Sequence, residues 1–322
     1  MKKMKNKNIA IFGSNSHIAK GLIFYYLQEK GYYLHLFSQH PDKVRKFLNS
    51  MSKETKPRYF VHSGYRNIMK YSYDMIISCV GAGTLNKHKG DYTKYFTVTE
   101  KFDNLALAYL KEISGKTKYI CFSSGAIYGG KCSSPAKDNT LNYINVNHVA
   151  PSEYYSIVRL NSEAKHRAFK NLNIIDLRVF SYFSRFADLR DGYFITDLMN
   201  CILRKKVLLT DRNNIIRDFV HPKDLFMAIK KCESKKMINA AFDISSSKPI
   251  SKKEILDYFS RESGLKYRVC RVLKNAGATG AKKTYYSKFK RAENIGYRPV
   301  FSSMDTIKLE SRSLLEDLTG EK

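Results

Sequence analysis

The 322-residue sequence lacks two features that would each define a class of protein. Its six cysteines and eight histidines show no spacing typical of a metal site, so we expect no bound metal. No apolar stretch approaches the length of a membrane span, so we expect no membrane partner. Several cysteines fall in apolar runs, which is typical of reduced, buried thiols and predicts a cytoplasmic protein.

Acidic residues are scarce, with 29 Asp and Glu against 57 Lys and Arg and a formal net charge of +28. The lysines are scattered along the whole chain instead of forming one basic stripe. No zinc-finger spacing and no RNA-binding aromatic signature accompany them, so we expect no nucleic-acid partner. A positive field would instead favour the capture of a substrate that carries two phosphates.

Strand and helix patterns alternate from Ile9 to about Phe180, which predicts an α/β fold with a parallel, doubly wound sheet. We divide the chain into a nucleotide-binding domain over 1–180 and a smaller substrate-binding lobe over 181–322. Segments near 217–247 are expected to return to the first domain. The predicted strands lie near 9–12, 33–37, 58–61, 74–80, 118–123 and 174–180, and the predicted helices near 17–29, 41–50, 92–113 and 151–171.

The first strand is followed by a tight turn and a helix, the context in which a dinucleotide binds. A glycine at position 13 lets the chain turn sharply, and Ser16 can cap the helix. The free amides at the start of that helix suit a pyrophosphate. We therefore expect cofactor contacts from Gly13, Asn15, Ser16, His17 and Ile18.

The second strand ends at Ser38, Gln39 and His40, where an acidic residue would bind the ribose hydroxyl of NAD. No acidic residue stands there, and Lys43 and Arg45 follow closely. A 2′-phosphate would be favourable in that setting. The sequence therefore favours NADP(H) over NAD(H), with cofactor contacts from these three residues at the end of the strand.

Ser124, Tyr155 and Arg159 form a candidate catalytic trio. A tyrosine is a poor acid–base group unless a nearby cation favours its phenolate. The spacing from Tyr155 to Arg159 places both side chains on one helix face. Ser124, at the end of the fifth predicted strand, supplies a hydroxyl that can position a carbonyl group.

These segments together resemble the extended short-chain dehydrogenase/reductase family, in the branch that modifies nucleotide-linked sugars. The resemblance covers most of the chain, including Arg217-Asp218-Phe219-Val220-His221 and the ending Asn294-Ile295-Gly296-Tyr297-Arg298-Pro299. It implies a Rossmann fold and gives Tyr155 the role of proton donor, Ser124 that of hydrogen-bonding the carbonyl, and Arg159 that of holding the cofactor ribose. It further implies cofactor contacts from Cys79, Val80, Gly81, Tyr155 and Arg159, and substrate contacts from Gly83, Ser124, Gly125, Ala126, Ser181 and Arg217, whose guanidinium would meet the diphosphate.

The sequence departs from the family pattern at two catalytic positions. Arg159 replaces the usual lysine, which keeps the charge but impairs a proton relay. Gly125 and Ala126 stand where the family's sugar 4,6-dehydratases have an Asp-Glu pair, which argues against dehydration.

We accordingly predict an NADPH-dependent reductase of a keto or aldehyde group on a nucleotide-diphosphate-linked sugar. One alternative is an NAD-dependent nucleotide-sugar epimerase, against which the absence of an acidic residue at Ser38 weighs. A second alternative is a non-catalytic NADP-binding sensor or scaffold, suggested by Arg159 and the glycine-poor loop. The resemblance also implies a homodimer formed through the helices near 92–113 and 151–171.

Overall fold

The computed structural model describes residues 6–51, 58–81, 90–129, 134–270 and 282–320. Within these ranges the strands are β1 (Lys7–Phe12), β2 (Tyr32–Ser38), β3 (Tyr59–Ser63), β4 (Met75–Ser78), β5 (Lys118–Ser124), β6 (Ile174–Val179), β7 (Ser181–Tyr182), β8 (Leu208–Thr210), β9 (Ile216–Arg217), β10 (Phe219–Val220), β11 (Asn239–Ile244), β12 (Ile250–Ser251), β13 (Tyr267–Val269) and β14 (Thr284–Tyr285). The helices are α1 (His17–Gln28), α2 (Pro41–Met51), α3 (Thr93–Glu112), α4 (Tyr154–Ala168), α5 (Phe194–Leu203), α6 (Pro222–Glu233), α7 (Lys252–Glu262) and α8 (Ser303–Thr319).

Seven parallel strands form the central sheet, in the order β11-β6-β5-β4-β1-β2-β3. Apolar residues of α1, α2 and α6 share one core cluster with the sheet, and apolar residues of α3 share another. Because both faces are covered, β4 and β5 are buried along their whole length. The predicted doubly wound α/β fold is therefore confirmed, and each of the six predicted strands lies in this sheet.

The order of the strands decides where a ligand can bind. All seven run in the same direction, so their carboxyl ends meet at one edge. Connections that leave this edge carry Gly13 after β1, Cys79 after β4 and Gly125 after β5. This edge therefore gathers residues that are far apart in the chain.

A smaller core lies beyond the sheet, built from α5, α7, α8 and short strands around Phe183, Leu198, Phe259 and Ile307. A buried ion pair fastens α8 to the segment after β7. The guanidinium of Arg185 donates to Glu310 at 2.8 and 3.1 Å, and the Arg185 backbone amide donates to the same carboxylate at 2.8 Å. The described residues include no helix that is both long and apolar enough to cross a membrane.

A buried histidine between two carboxylates connects α3, α4 and β6. His166 on α4 places Nε2 2.6 Å from Asp103 Oδ1 and Nδ1 2.8 Å from Asp176 Oδ1. Burial alone would lower the pKa of His166, but its hydrogen bonds to both carboxylates outweigh burial and raise the pKa to about 9. The ring is therefore an imidazolium at neutral pH, and its charge holds two helices to the sheet.

We expect the free energy of unfolding to decrease as the pH rises from about 6.5 to about 9. The folded-state pKa of His166 lies above the value of about 6.5 in an unfolded chain, so its contribution is complete below that value and is lost on deprotonation. The difference corresponds to about 3 kcal/mol. Urea denaturation across this pH range measures it.

The variant His166→Gln is expected to lose this pH dependence, whereas His148→Gln, which alters an exposed histidine, should keep it. An NMR titration of the His166 ring gives an independent check. A midpoint near 6.5 would contradict the assignment of an imidazolium at neutral pH.

Candidate active site

The turn after β1 requires glycine at position 13. Gly13 has φ +68°, and a Cβ built there would lie 3.1 Å from both the carbonyl carbon and the oxygen of Cys79 and 3.2 Å from Val80 Cγ2. An L side chain would be strained and crowded at this position. The turn is therefore packed tightly against the segment after β4. A turn without a side chain also lets a cofactor approach the protein backbone closely.

Helix α1 begins directly after this turn. The Ser16 hydroxyl accepts a hydrogen bond from the Ala19 amide at 3.3 Å, as an N-cap residue does. By helix geometry the first amides, including those of His17 and Ile18, have no partner within the helix and can bind an anion. Asn15 lies half-buried in the turn itself.

The side chain of His17 packs against Tyr182 of β7. Its ring centroid is 4.9 Å from that of Tyr182 in an edge-to-face contact. Burial lowers the pKa of His17 to about 4, although a hydrogen bond with the Ser184 backbone opposes the shift. At neutral pH the ring is uncharged, so the side chain of His17 adds no positive charge for a phosphate.

The end of β2 is shaped by its own hydrogen bonds. The Ser38 hydroxyl is buried and accepts from the His40 amide at 3.0 Å, which closes the turn into α2. The side chains of Gln39 and His40 are exposed. Arg45 is paired with Asp42 at 2.9 Å along the surface of α2. The Ser38 hydroxyl and the Arg45 cation therefore both already have partners within the chain.

Tyr155 and Arg159 are in direct contact on α4. The Arg159 guanidinium carbon lies 5.3 Å from the centroid of the Tyr155 ring. Burial opposes the charge of Arg159, but the Coulomb interaction and hydrogen bond with Tyr155 help raise its pKa above the usual value. The cation therefore persists in a buried position beside the hydroxyl of Tyr155.

Arg159 also reaches the segment after β4. Its Nη2 lies 3.4 Å from where a Cβ of Gly81 would stand. Its Nε is buried and has no hydrogen-bond partner in the part of the chain that the structure describes. A buried donor without a partner is uncommon in proteins. The ribose of a dinucleotide would satisfy this atom, so the residues present fit such a cofactor.

Ser124 ends β5 with its hydroxyl at the carboxyl edge of the sheet. Its Oγ accepts from the Ala126 amide at 3.2 Å and lies 2.9 Å from Tyr285 Oη. The helix that carries Tyr155 packs against the 3₁₀ turn Gly125–Tyr128 directly after Ser124. Ser124 at the end of β5 and the Tyr155–Arg159 pair on α4 therefore lie on elements that are neighbours in the fold.

The next position admits no side chain at all. A Cβ at Gly125 would lie 2.3 Å from two ring carbons of Phe180. Ala126 is buried in the same 3₁₀ turn, and Ser181 follows Phe180 at the start of β7. The carboxylate that dehydratases place at the first of these positions is therefore excluded by the packing as well as by the sequence.

Arg217 lies on β9, opposite Tyr285 of β14 in the strand register. Its Nη1 donates to the backbone carbonyls of Ile216 at 2.9 Å and Lys282 at 3.0 Å. Within the described ranges its Nη2 is buried without a partner. Burial lowers the pKa of Arg217 to about 10.

Arg159 and Arg217 differ from the partly buried Arg178 and Arg185 in their partners. Arg178 binds Glu163 and Asp243, and Arg185 binds Glu310, so each buried charge is compensated. Arg159 and Arg217 are the most buried, with 6% of each exposed, yet neither forms an ion pair with a described carboxylate. Both are expected contact points for ligands that carry negative charge or oxygen acceptors.

Sequence reasoning missed several residues of this region. Tyr285 contacts Ser124, Phe180 fills the space over Gly125, and the Tyr65 hydroxyl accepts from the Gly13 amide at 2.9 Å. No local motif marks them, because only the folded topology brings them to the site. Gly83, an expected substrate contact, lies outside the described residues.

The fold and these residues define a nucleotide-binding enzyme of the short-chain dehydrogenase/reductase type. The sequence profile of the NAD dependent epimerase/dehydratase family matches residues 22–241. The chain belongs to that family, as the resemblance had predicted. No curated protein matches it in sequence.

Solved structures share the fold at low sequence identity. A UDP-glucuronic acid 4-epimerase variant from Bacillus cereus, in complex with a fluorinated UDP-glucuronic acid and NAD, is 18% identical with a TM-score of 0.79, and the match covers 96% of this chain and 99% of that one. A UDP-N-acetylglucosamine 4-epimerase from Methanobrevibacter ruminantium is 16% identical with a TM-score of 0.80, over 98% and 100% of the two chains. A dTDP-glucose 4,6-dehydratase from Bacillus anthracis, in complex with NAD, is 14% identical with a TM-score of 0.75, over 97% and 98%.

The expectation that NADP(H) is favoured over NAD(H) is wrong. The similar epimerase and dehydratase whose cofactor is recorded hold NAD. Two of the residues behind the expectation already have partners within the chain: the Ser38 hydroxyl closes its own turn, and Arg45 pairs with Asp42. The expected homodimer stays a prediction.

We expect Arg217→Met to leave the free energy of unfolding within about 1 kcal/mol of the unmodified protein, because it removes a buried charge that has no carboxylate partner. The matched variant Arg178→Met should lose about 3–5 kcal/mol, because it leaves Glu163 and Asp243 buried without their cation. Urea denaturation of both variants provides the comparison. Equal losses in the two variants would contradict this distinction.

Proposed function

We propose that this protein is an NAD-dependent epimerase of a nucleoside-diphosphate-linked sugar. The observation that carries the proposal is the pair of buried arginines without carboxylates, Arg159 beside Tyr155 and Arg217 beside Tyr285. A substrate with a diphosphate at one end and a reacting hydroxyl at the other fits this arrangement. Its diphosphate would contact Arg217, and its hydroxyl would lie near Tyr155. The similar epimerases act on substrates of that kind.

Residues for the cofactor lie along the carboxyl edge of the sheet. The turn at Gly13 and the first amides of α1 would hold the pyrophosphate. The unpartnered Nε of Arg159 would bind a ribose oxygen. NAD supplies a carbon centre that accepts a hydride and later returns it.

The reaction needs a group that takes a proton from the sugar hydroxyl and gives it back. Tyr155 would remove that proton while the sugar carbon is oxidised to a ketone, and would return it when the ketone is reduced from the opposite face. The guanidinium carbon of Arg159 lies 5.3 Å from the centroid of the Tyr155 ring, so this residue would bring a positive charge close to the site of proton transfer. Ser124 would donate a hydrogen bond to the same sugar oxygen.

Two further observations favour epimerisation over the related reactions. Dehydration needs an acid and a base next to the catalytic serine, and Phe180 leaves no space for a side chain at position 125. A reductase must exchange its oxidised cofactor for a reduced one in each turnover, whereas an epimerase can retain one NAD. Several similar structures are 4-epimerases, which supports a reaction at C4.

The test begins with the cofactor that co-purifies with the protein. Denaturation should release NAD, and the native protein without added cofactor should convert UDP-glucose, UDP-glucuronic acid or UDP-N-acetylglucosamine to its C4 epimer. NMR of the products in D2O should find no deuterium at C4, because the hydride returns directly. A requirement for added NADH and a product two mass units heavier would indicate a reductase, and a 4-keto-6-deoxy product would indicate a dehydratase.

We expect Tyr155→Phe to reduce kcat by about 10²–10⁴-fold, the effect of losing a general acid–base group. The bound NAD should be unchanged, because the variant keeps the ring beside Arg159. Tyr154→Phe is the matched control, since the Tyr154 ring stacks on Tyr92 at 5.0 Å and has no proposed catalytic role. Unchanged turnover in Tyr155→Phe would remove Tyr155 from the mechanism and leave a non-catalytic cofactor-binding protein as the better interpretation.

A further inference from the structure

A hydrogen bond joins the catalytic serine to a tyrosine from the other end of the chain. Ser124 Oγ and Tyr285 Oη are 2.9 Å apart, and both residues are buried. The Ser124 oxygen also accepts from the backbone amide of Ala126 at 3.2 Å. Nothing in the chemistry proposed above uses Tyr285.

The capacity of the serine hydroxyl decides what this contact does. A serine hydroxyl has one proton to donate and two lone pairs that accept. The Ala126 amide can only donate, so it occupies one lone pair. When Tyr285 donates as well, both lone pairs are occupied, and the proton of Ser124 is directed to a third partner. If Ser124 donated to Tyr285 instead, its proton would be lost to the substrate.

The surroundings of Tyr285 favour donation from its hydroxyl. The Lys282 ammonium lies 4.7 Å from the centroid of the Tyr285 ring, and the Arg217 guanidinium carbon lies 5.7 Å from it. Positive charge near a phenol makes its O–H a better donor and a poorer acceptor. The Phe180 ring, 5.1 Å away at an angle of 61°, holds the tyrosine ring in place.

We propose that Tyr285 is a positioning residue that makes Ser124 a dedicated hydrogen-bond donor to the reacting oxygen of the substrate. This inference rests on the proposed function, in which Ser124 contacts that oxygen. In an epimerase the oxygen alternates between hydroxyl and ketone, and Tyr155 changes its protonation with it. A serine whose lone pairs are both occupied keeps donating in both halves of the reaction.

The strand register connects this role to substrate binding. Tyr285 lies directly opposite Arg217 in the β14–β9 pair, and Arg217 Nη1 donates to the backbone of the same segment at Lys282. The proposed diphosphate contact and the residue that orients Ser124 are therefore on neighbouring strands. The short sheet formed by β12, β9 and β14 would thus supply both the anchor of the substrate and the residue that orients Ser124 of the central sheet.

The test is a double-mutant cycle of Tyr285→Phe and Ser124→Ala, assayed with whichever of the three UDP-sugars above is converted. Tyr285→Phe keeps the ring and its contacts with Arg217, so the affinity for free UDP, measured by calorimetry, should be unchanged. Its kcat should decrease about tenfold, as expected for one lost hydrogen bond of this kind. In the Ser124→Ala background the same substitution should change kcat by less than about twofold.

Tyr286→Phe is the matched control, because it removes a hydroxyl from the adjacent residue and should leave kcat and UDP affinity unchanged. Three results would overturn the proposal. They are a Tyr285→Phe enzyme as fast as the unmodified one, an equal decrease of kcat in the Ser124→Ala background, or a weakened affinity for UDP that accompanies the loss of kcat. Failure of the proposed function is recognised separately, because the unmodified protein would then convert none of the three sugars.

Discussion

The rest of the structure depends on the burial of two guanidinium groups that have no carboxylate partner. Removing such a charge from water costs several kcal/mol. The large apolar core on both faces of the seven-stranded sheet offsets this cost, whereas the partly buried Arg178 is compensated by Glu163 and Asp243. Among the described arginines, the two most buried, Arg159 and Arg217, have no carboxylate partner, and both lie near the carboxyl edge of the sheet.

The sheet was predictable because its signals are local and repeated. Short apolar runs such as Ile9-Ala10-Ile11-Phe12, followed by a turn and an amphipathic helix, define a parallel strand without knowledge of the rest of the chain. The capping box of Ser251 and Glu254 at the start of α7 is a local signal of the same kind, because four consecutive residues carry it. The short strands β9, β10, β12 and β14 carry no such signal, because two-residue strands have no periodicity and depend on their partners.

The residues of the candidate site likewise divide into those that local sequence signals predict and those that they do not. Ser124, Tyr155 and Arg159 could be proposed from spacing, because a strand end and one helix face carry them. Tyr285 and the packing of Phe180 over Gly125 could not, since contacts between remote segments leave no pattern in either one. The cofactor prediction failed for a related reason. It relied on the absence of an acidic residue and the presence of nearby basic ones, whereas the Ser38 hydroxyl is bonded within its own turn and Arg45 is paired with Asp42.

The contacts of the last described residues have a consequence for how the protein is made. Glu310 on α8 holds Arg185, and Tyr285 holds Ser124, so residues from the end of the chain complete a region whose sheet is built almost entirely from the first 180 residues. During translation the amino-terminal strands leave the ribosome first and can pair before these partners exist. The nascent sheet would thus emerge before Ser124 and Arg185 have these partners, and the region would be completed only after Tyr285 and Glu310 have been synthesised.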